Sequence, residues 1–172
     1  MKNEKRKELY SREFKLKFMG YGEWLDEPDE VTFEYKGIKC LVFRVVKREI
    51  YCPTEAYFGG HLCGYILLPP EHPMCGKECW DEFECHQGVT FHDGTDEVWI
   101  LGFDCGHLGD LIPTMEHMHR TIPELIEINK AFSTPEGFEK HPWFHPTYKN
   151  VDFCIKECKS LAKQAAKMMV PA

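Results

Sequence analysis

Polar and apolar residues alternate through Val31-Thr32-Phe33-Glu34-Tyr35, the period of a strand with one face to the core and one to water. Part of 38–46 repeats the alternation, and Lys36-Gly37 suits a two-residue turn, so the pair predicts a hairpin. A further strand is expected over 61–68, stopped by Pro69-Pro70 because proline cannot donate to a ladder. Val98-Trp99-Ile100-Leu101 is apolar on both faces and reads as a strand buried on both sides. Asp93-Gly94 is a strong type I′ turn signal joining 83–92 to 95–104. With a two-residue loop, His92 pairs with Thr95, Thr90 with Glu97, Gly88 with Trp99 and His86 with Leu101. That register lays the Trp99 ring over the bare backbone of Gly88, between His86 and Thr90.

Toward the C-terminus the spacing turns helical. Thr121-Ile122-Pro123-Glu124 matches a capping box with proline in the first turn, predicting a helix to about Phe132. From Asn150, the residues Val151, Cys154, Ile155, Cys158, Leu161, Ala162, Ala165 and Met168 form one apolar stripe. Asp152 near its start and Lys159, Lys163 and Lys167 toward its end suit the helix dipole. Residues 1–20 predict a helix or an arm, 49–60 an irregular segment, and 116–119 a polar linker. Pro142-Trp143-Phe144-His145-Pro146 reads as a rigid aromatic loop. These elements give an α+β fold: an antiparallel sheet of hairpins packed against a C-terminal helix, in a single domain over 1–172.

Size and charge narrow the function classes. A chain of 172 residues buries about 70% of its unfolded surface and needs neither disulfide nor metal to fold. A net charge of −7 argues against duplex nucleic acid as partner, since that needs a basic face to neutralise phosphates. A small anion in a locally positive pocket remains compatible. No apolar run reaches the length of about 18 residues that spans a membrane, and no signal peptide is expected. Nine cysteines without such a signal predict a reducing cytoplasm and mostly free thiols. Homo-oligomer formation is compatible, with the first 20 residues as a possible arm.

The chemistry concentrates in Gly102-Phe103-Asp104-Cys105-Gly106-His107-Leu108-Gly109-Asp110. A glycine-punctuated polar turn at the end of a buried strand holds reactive side chains on a rigid support. Asp104, His107 and Asp110 suit general acid–base work, with a carboxylate orienting an imidazole, and they equally suit a divalent cation. The plain structural alternative is a polar turn in which Asp104 caps amides and His107 bonds a carbonyl. His86 and Thr90 offer two further polar contacts, and His72 is fixed between Pro70 and Pro73. Cys75, Cys79 and Cys85 are weak metal candidates, because their spacing lacks paired C-x2-C knuckles. Cys105 is a poor nucleophile, since its acidic neighbours raise a thiol's pKa.

Cys63-Gly64-Tyr65-Ile66, His72-Pro73, His86-x-Gly88-x-Thr90 and Gly102-Phe103-Asp104-Cys105-x-His107-x-x-Asp110 together resemble an uncharacterised family of small bacteriophage proteins. That family carries Cys-Gly-Tyr-Val, His-Pro, His-Gly-Gly-x-Thr and Gly-Phe-Asp-Cys-x-His-x-x-Asp in this order. Tyr148-Lys149-Asn150-Val151 and Glu157-x-x-x-Leu161-Ala162 also look similar to its closing helix. Gln87 departs from the pattern, standing where the family often has glycine. The resemblance implies phage origin and action in the host cytoplasm, and it brings no established activity.

The expectation is therefore a site at one sheet end that gathers His72, His86, Thr90, Asp104, His107 and Asp110, with Tyr65 and Trp99 as aromatic walls for a flat group. The expected chemistry is hydrolysis or transfer at a phosphodiester of a small nucleotide such as a host immune signal. One histidine would activate the nucleophile, the other would protonate the leaving oxygen, and Thr90 would hold a phosphate oxygen. Two alternatives stand beside it: a protein that sequesters such a nucleotide intact, and a metal-stabilised protein-interaction module.

Overall fold

The computed structural model describes residues 2–49, 55–95, 97–125, 127 and 146–169. The strands are β1 (Lys2–Lys7), β2 (Glu30–Tyr35), β3 (Ile38–Glu49), β4 (Ala56–Leu68), β5 (Phe91–Thr95) and β6 (Val98–Asp104). They form one sheet in the order β1-β2-β3-β4-β6-β5, with every neighbouring pair antiparallel. Helices α1 (Arg12–Met19), α2 (Pro113–Thr121) and α3 (Val151–Met168) accompany it, with a 3-10 turn at Glu23–Leu25. The α+β class with a C-terminal helix on an antiparallel sheet is thus the observed fold.

Alternation decides the layers. Ile38, Cys40 and Val42 on β3, Leu62, Ile66 and Leu68 on β4, and Leu101 and Phe103 on β6 share one core with α3. Gly64 is the contact point. A Cβ there would stand 2.4 Å from the Phe103 ring and 2.8 Å from Cys158 Sγ, so only glycine lets helix and strand approach this closely. Asn150 caps α3 by accepting the Phe153 amide, as its position before the apolar stripe suggests.

A buried ionic cluster joins the two ends of the chain to the sheet. Arg44, with no exposed side-chain surface, donates to Asp29, Glu27, the Gly60 carbonyl and the Tyr148 hydroxyl. Glu27 also accepts the Val151 amide at the start of α3. Asp29 takes the Leu9 and Tyr10 amides and pairs with buried Lys15. Burial would raise the Asp29 pKa, but Lys15, the two amides and Arg44 outweigh it and hold the carboxyl below its usual range.

Several local expectations are corrected. The first 20 residues are a strand and a helix, not a single helix or free arm. Of the described residues in 49–60, all but Glu55 are strand, because β3 runs to Glu49 and β4 begins at Ala56. Residues 116–119 lie inside α2, and Thr121 ends that helix, its hydroxyl donating to the His117 carbonyl instead of capping a new one. Residues 123–125 and 127 are helical, while the rest of the stretch to Phe132 and most of the aromatic loop at 142–146 lie outside the described residues.

The hairpin before the site has a different register. Thr95 pairs with Val98 and His92 with Leu101, so Asp93 and Gly94 sit within β5 and the chain reverses beyond them. The Thr95 hydroxyl accepts the Glu97 amide and closes that reversal, a local bond that outcompetes the Asp-Gly signal. The slide is even, so the faces survive while the partners move. Residues 86–88 are not strand at all: Gln87 (φ 55°) and Gly88 (φ 89°) are both left-handed, and the Gly88 amide bonds the Cys85 carbonyl in a turn.

Candidate functional site

The loop after β6 is shaped before it is chemical. The Asp110 amide bonds the His107 carbonyl, closing a tight turn whose third residue, Gly109, has φ 93°, where glycine is favoured. Asp110 then reaches back, its Oδ2 accepting the His107 amide at 3.2 Å. Thr147 fastens the turn from outside: its amide bonds Gly109, its carbonyl accepts Leu111, and it forms a parallel bridge with Asp110. The opposite end is held by Asp104, whose Oδ1 accepts the Gly106 amide at 2.8 Å.

Three side chains converge on this frame. His86 Nε2 lies 2.9 Å from Asp110 Oδ2, and His107 Nδ1 lies 3.6 Å from both Asp110 Oδ2 and Asp104 Oδ1. The His86 and His107 rings meet edge to face with centroids 5.8 Å apart, and Phe153 of α3 packs edge to face on the other side of His86. The His86 backbone is tied to the same helix, its amide donating to Glu157. Asp110 is almost sealed, with 3% of its side chain exposed, whereas 25% of His107 reaches solvent. Lys149 brings an ammonium 3.6 Å from Asp110 Oδ1.

Thr90 joins the group through Asp104. Its hydroxyl oxygen accepts the Asp104 amide at 3.1 Å. Burial would raise the Asp104 pKa, but the Gly106 amide, the Thr90 hydroxyl and the His107 and His61 rings hold it below the usual carboxylate range. Asp104 is therefore ionised at neutral pH.

Sequence reasoning missed His61. On β4 it shares the helix-free face of the sheet with Asp104, and a Cβ on Gly106 would stand 3.2 Å from both His61 Nε2 and Asp104 Oδ1. Burial lowers its pKa against the pull of Asp104 and Asp110, so the ring is neutral at pH 7. Its Nδ1, like that of His107, is buried with no hydrogen-bond partner. The register of β4 against β6 could have found it: Cys63 pairs with Asp104, so His61 lies one same-face step beyond the strand end. Lys149 carried no signal except its place beside the start of α3.

Two hollows flank the loop. One, of about 430 Å³, opens on the helix-free face and is lined by His61, Tyr65, Thr90, Phe91 and Asp104 among others. The second, of about 470 Å³, is lined by His107, Asp110, Glu116, His119 and Pro146 among others. Tyr65 does form a wall, its ring over Gly102 and edge to face with Phe91 at 5.6 Å.

Two expected members, His72 and Trp99, are elsewhere, and the three candidate cysteines do not form a group among the described residues. His72 is buried beneath the far end of α3, where Nδ1 accepts the Met74 amide and Nε2 donates to the Ala165 carbonyl. Both ring nitrogens are spent on structure. Trp99 pairs with Gly94 and packs edge to face with His92, five positions or roughly 17 Å along the strand from Asp104. Phe91, not Trp99, lines the hollow beside Tyr65. Cys75, Cys79 and Cys85 do not bring their sulfurs together among the described residues, and the Cys79 thiol donates to Lys77 and Met74 carbonyls. Burial, with Glu157 and Cys105 adding, pushes the Cys85 thiol up to about 12. The Cys105 thiol is also raised, by its contact with Cys154 at 3.7 Å and then by burial, so it is no nucleophile.

Comparison with protein-family models, with curated proteins and with solved structures finds no match for this chain. No helix among the described residues is long and apolar enough to cross a membrane.

Proposed function

We propose that this chain is a phage accessory protein acting in the host cytoplasm, and that it hydrolyses or transfers at a phosphodiester of a small nucleotide. The observation that carries the chemistry is the meeting of His86, His107 and Asp110, whose donor atoms all lie within 4.8 Å of one another. Residues from two loops distant in sequence are held there on backbone that helix and sheet make rigid. In this reading the cluster activates a water, Asp104 beside His107 takes its proton as the oxygen bonds phosphorus, and that proton passes to the leaving oxygen as the old P–O bond breaks.

Two further features support a nucleotide. Asp104 lines one hollow and His107 the other, with 3.6 Å between their nitrogen and oxygen, so one ligand can lie across the loop and use both. A base against Tyr65 and Phe91 would then leave its phosphate near His107 and the Lys149 ammonium. Thr90, placed by the sequence on a phosphate oxygen, supports a positioning role instead, because its hydroxyl is engaged with Asp104. The phage and host-cytoplasm part rests on the motif resemblance.

Incubation of the purified chain with a panel of cyclic and linear nucleotides, read by chromatography, tests the proposal. Turnover that disappears in His107→Ala supports it. Intact nucleotide recovered on denaturing the protein would instead make it a sequestering protein, and neither turnover nor retention across the panel overturns a nucleotide site.

A further inference from the structure

We infer that His86, His107 and Asp110 bind one divalent first-row transition-metal ion, each through one donor atom. The inference rests on the hydrolytic site above for its consequence, and its test reads metal binding separately from turnover.

The geometry carries it. Bonds of about 2.0–2.1 Å around a tetrahedral ion put neighbouring donors roughly 3.3 Å apart. The observed separations from Asp110 Oδ2, 2.9 Å to His86 Nε2 and 3.6 Å to His107 Nδ1, bracket that value. His107 Nδ1 is the informative atom. It is buried, lacks a hydrogen-bond partner, and lies 3.6 Å from two carboxylate oxygens, too far to bond either. A buried ring nitrogen that stands 3.6 Å from the Asp110 carboxylate without bonding it has the spacing of two ligands that share an ion. The carboxylates around it, by contrast, are held by backbone amides, Asp110 by His107 and Asp104 by Gly106.

Donor chemistry sets the class. Two imidazoles and one carboxylate favour zinc, manganese, iron or cobalt over calcium or magnesium, which prefer all-oxygen sets. Support around the ligands is present. Lys149 sits 3.6 Å from Asp110 Oδ1, the His86 ring meets both Asp110 oxygens, Phe153 packs edge to face on His86, and the turn at Gly109 fixes His107 relative to Asp110. Three protein ligands beside the 470 Å³ hollow leave coordination positions for water and a substrate oxygen, the pattern of a catalytic site rather than a closed structural one. Such an ion would lower the pKa of a bound water toward neutrality, which is the activation a hydrolytic site needs. The cation thus supplies the activation assigned above to the cluster, and the two histidines act as its ligands.

The test uses the full chain stripped with chelator and titrated with zinc and with cobalt. One equivalent of each binds, and cobalt gives visible d–d bands without the near-ultraviolet thiolate-to-metal band that cysteine ligation produces. His86→Ala, His107→Gln and Asp110→Asn each weaken binding at least about tenfold. Circular dichroism in chelator shows which variants remain folded, and His107→Gln, in a half-exposed turn, keeps the test alive if Asp110→Asn does not fold. A thiolate band, or full affinity in a folded His107→Gln protein, overturns the inference. So does nucleotide turnover that chelator leaves unchanged, an outcome that would spare the hydrolytic site. Stoichiometric metal without turnover would do the reverse.

Discussion

Replacing His72 with alanine should unfold the protein more easily and leave its chemistry alone. The imidazole satisfies two groups at once: the Met74 amide through Nδ1 and the Ala165 carbonyl through Nε2–H. Ala165 lies in the last turn of α3, where carbonyls have no partner within the helix, so the ring closes that end. Truncation strands one donor and one acceptor, each costing about 1–3 kcal/mol, for a total near ~3 kcal/mol. In a chain of this size that lowers the melting midpoint by roughly 6–12 °C. Acid should reveal the same contact. Burial keeps the folded pKa of His72 below its ordinary 6.5, only partly offset by the Ala165 carbonyl and Glu71, so the ring is held neutral. Its stabilisation is complete above about pH 6.5, and it declines below that pH as the unfolded chain takes up a proton the folded ring refuses. Urea titrations of wild type and His72→Ala between pH 7.5 and 5 should therefore show the gap between them narrowing on acidification. An unchanged midpoint, a gap that widens in acid, or lost metal binding at unchanged stability would refute this account and return His72 to the site.

Further outcomes follow from other contacts. Arg44→Ala should cost about 3–5 kcal/mol in urea unfolding, since buried Asp29 keeps only Lys15 as its cation and Glu27 and the Gly60 carbonyl lose a buried donor, while Arg44→Met should be milder. Asp29, with its depressed pKa, gives stability that is complete above the ordinary carboxylate range and lost as pH falls through its folded value; Asp29→Asn should flatten the acid limb of the stability curve. Gln87→Gly should stabilise by about 0.5–1 kcal/mol, because a left-handed conformation strains an L residue, and thermal melts will show it. Gly106→Ala should fold normally, its φ lying outside the left-handed region, yet weaken nucleotide turnover by wedging a methyl between His61 and Asp104.

What the sequence made legible was periodic. The alternation over 31–46, the strand ending at Leu68 and the apolar stripe of α3 all became elements because each buries one face, and burial leaves a period that can be read. The 102–110 loop was legible through its glycines and its density of ionisable groups, and His86 does meet it. The misses were tertiary. His72 looked like a site residue because prolines hold it, yet the partner that explains it, Ala165, lies 93 positions away. Trp99 was placed by a turn signal that a threonine hydroxyl overrode. His61 went unseen because its neighbours come from another strand and a loop, and only the register of β4 against β6 brings them together.

The guanidinium of Arg44 has a consequence for how the chain can be cut. Its partners come from the opening thirty residues, from the middle of the sheet and from Tyr148, so no contiguous stretch contains all of them. A fragment lacking either terminus keeps a cation locked in hydrocarbon without its full complement of oxygens, and one ending before α3 also bares the apolar surface around Ile66 and Leu101. Half-length versions should precipitate instead of behaving as miniature domains. Reporter fusions are better appended to an intact polypeptide than inserted in place of an end.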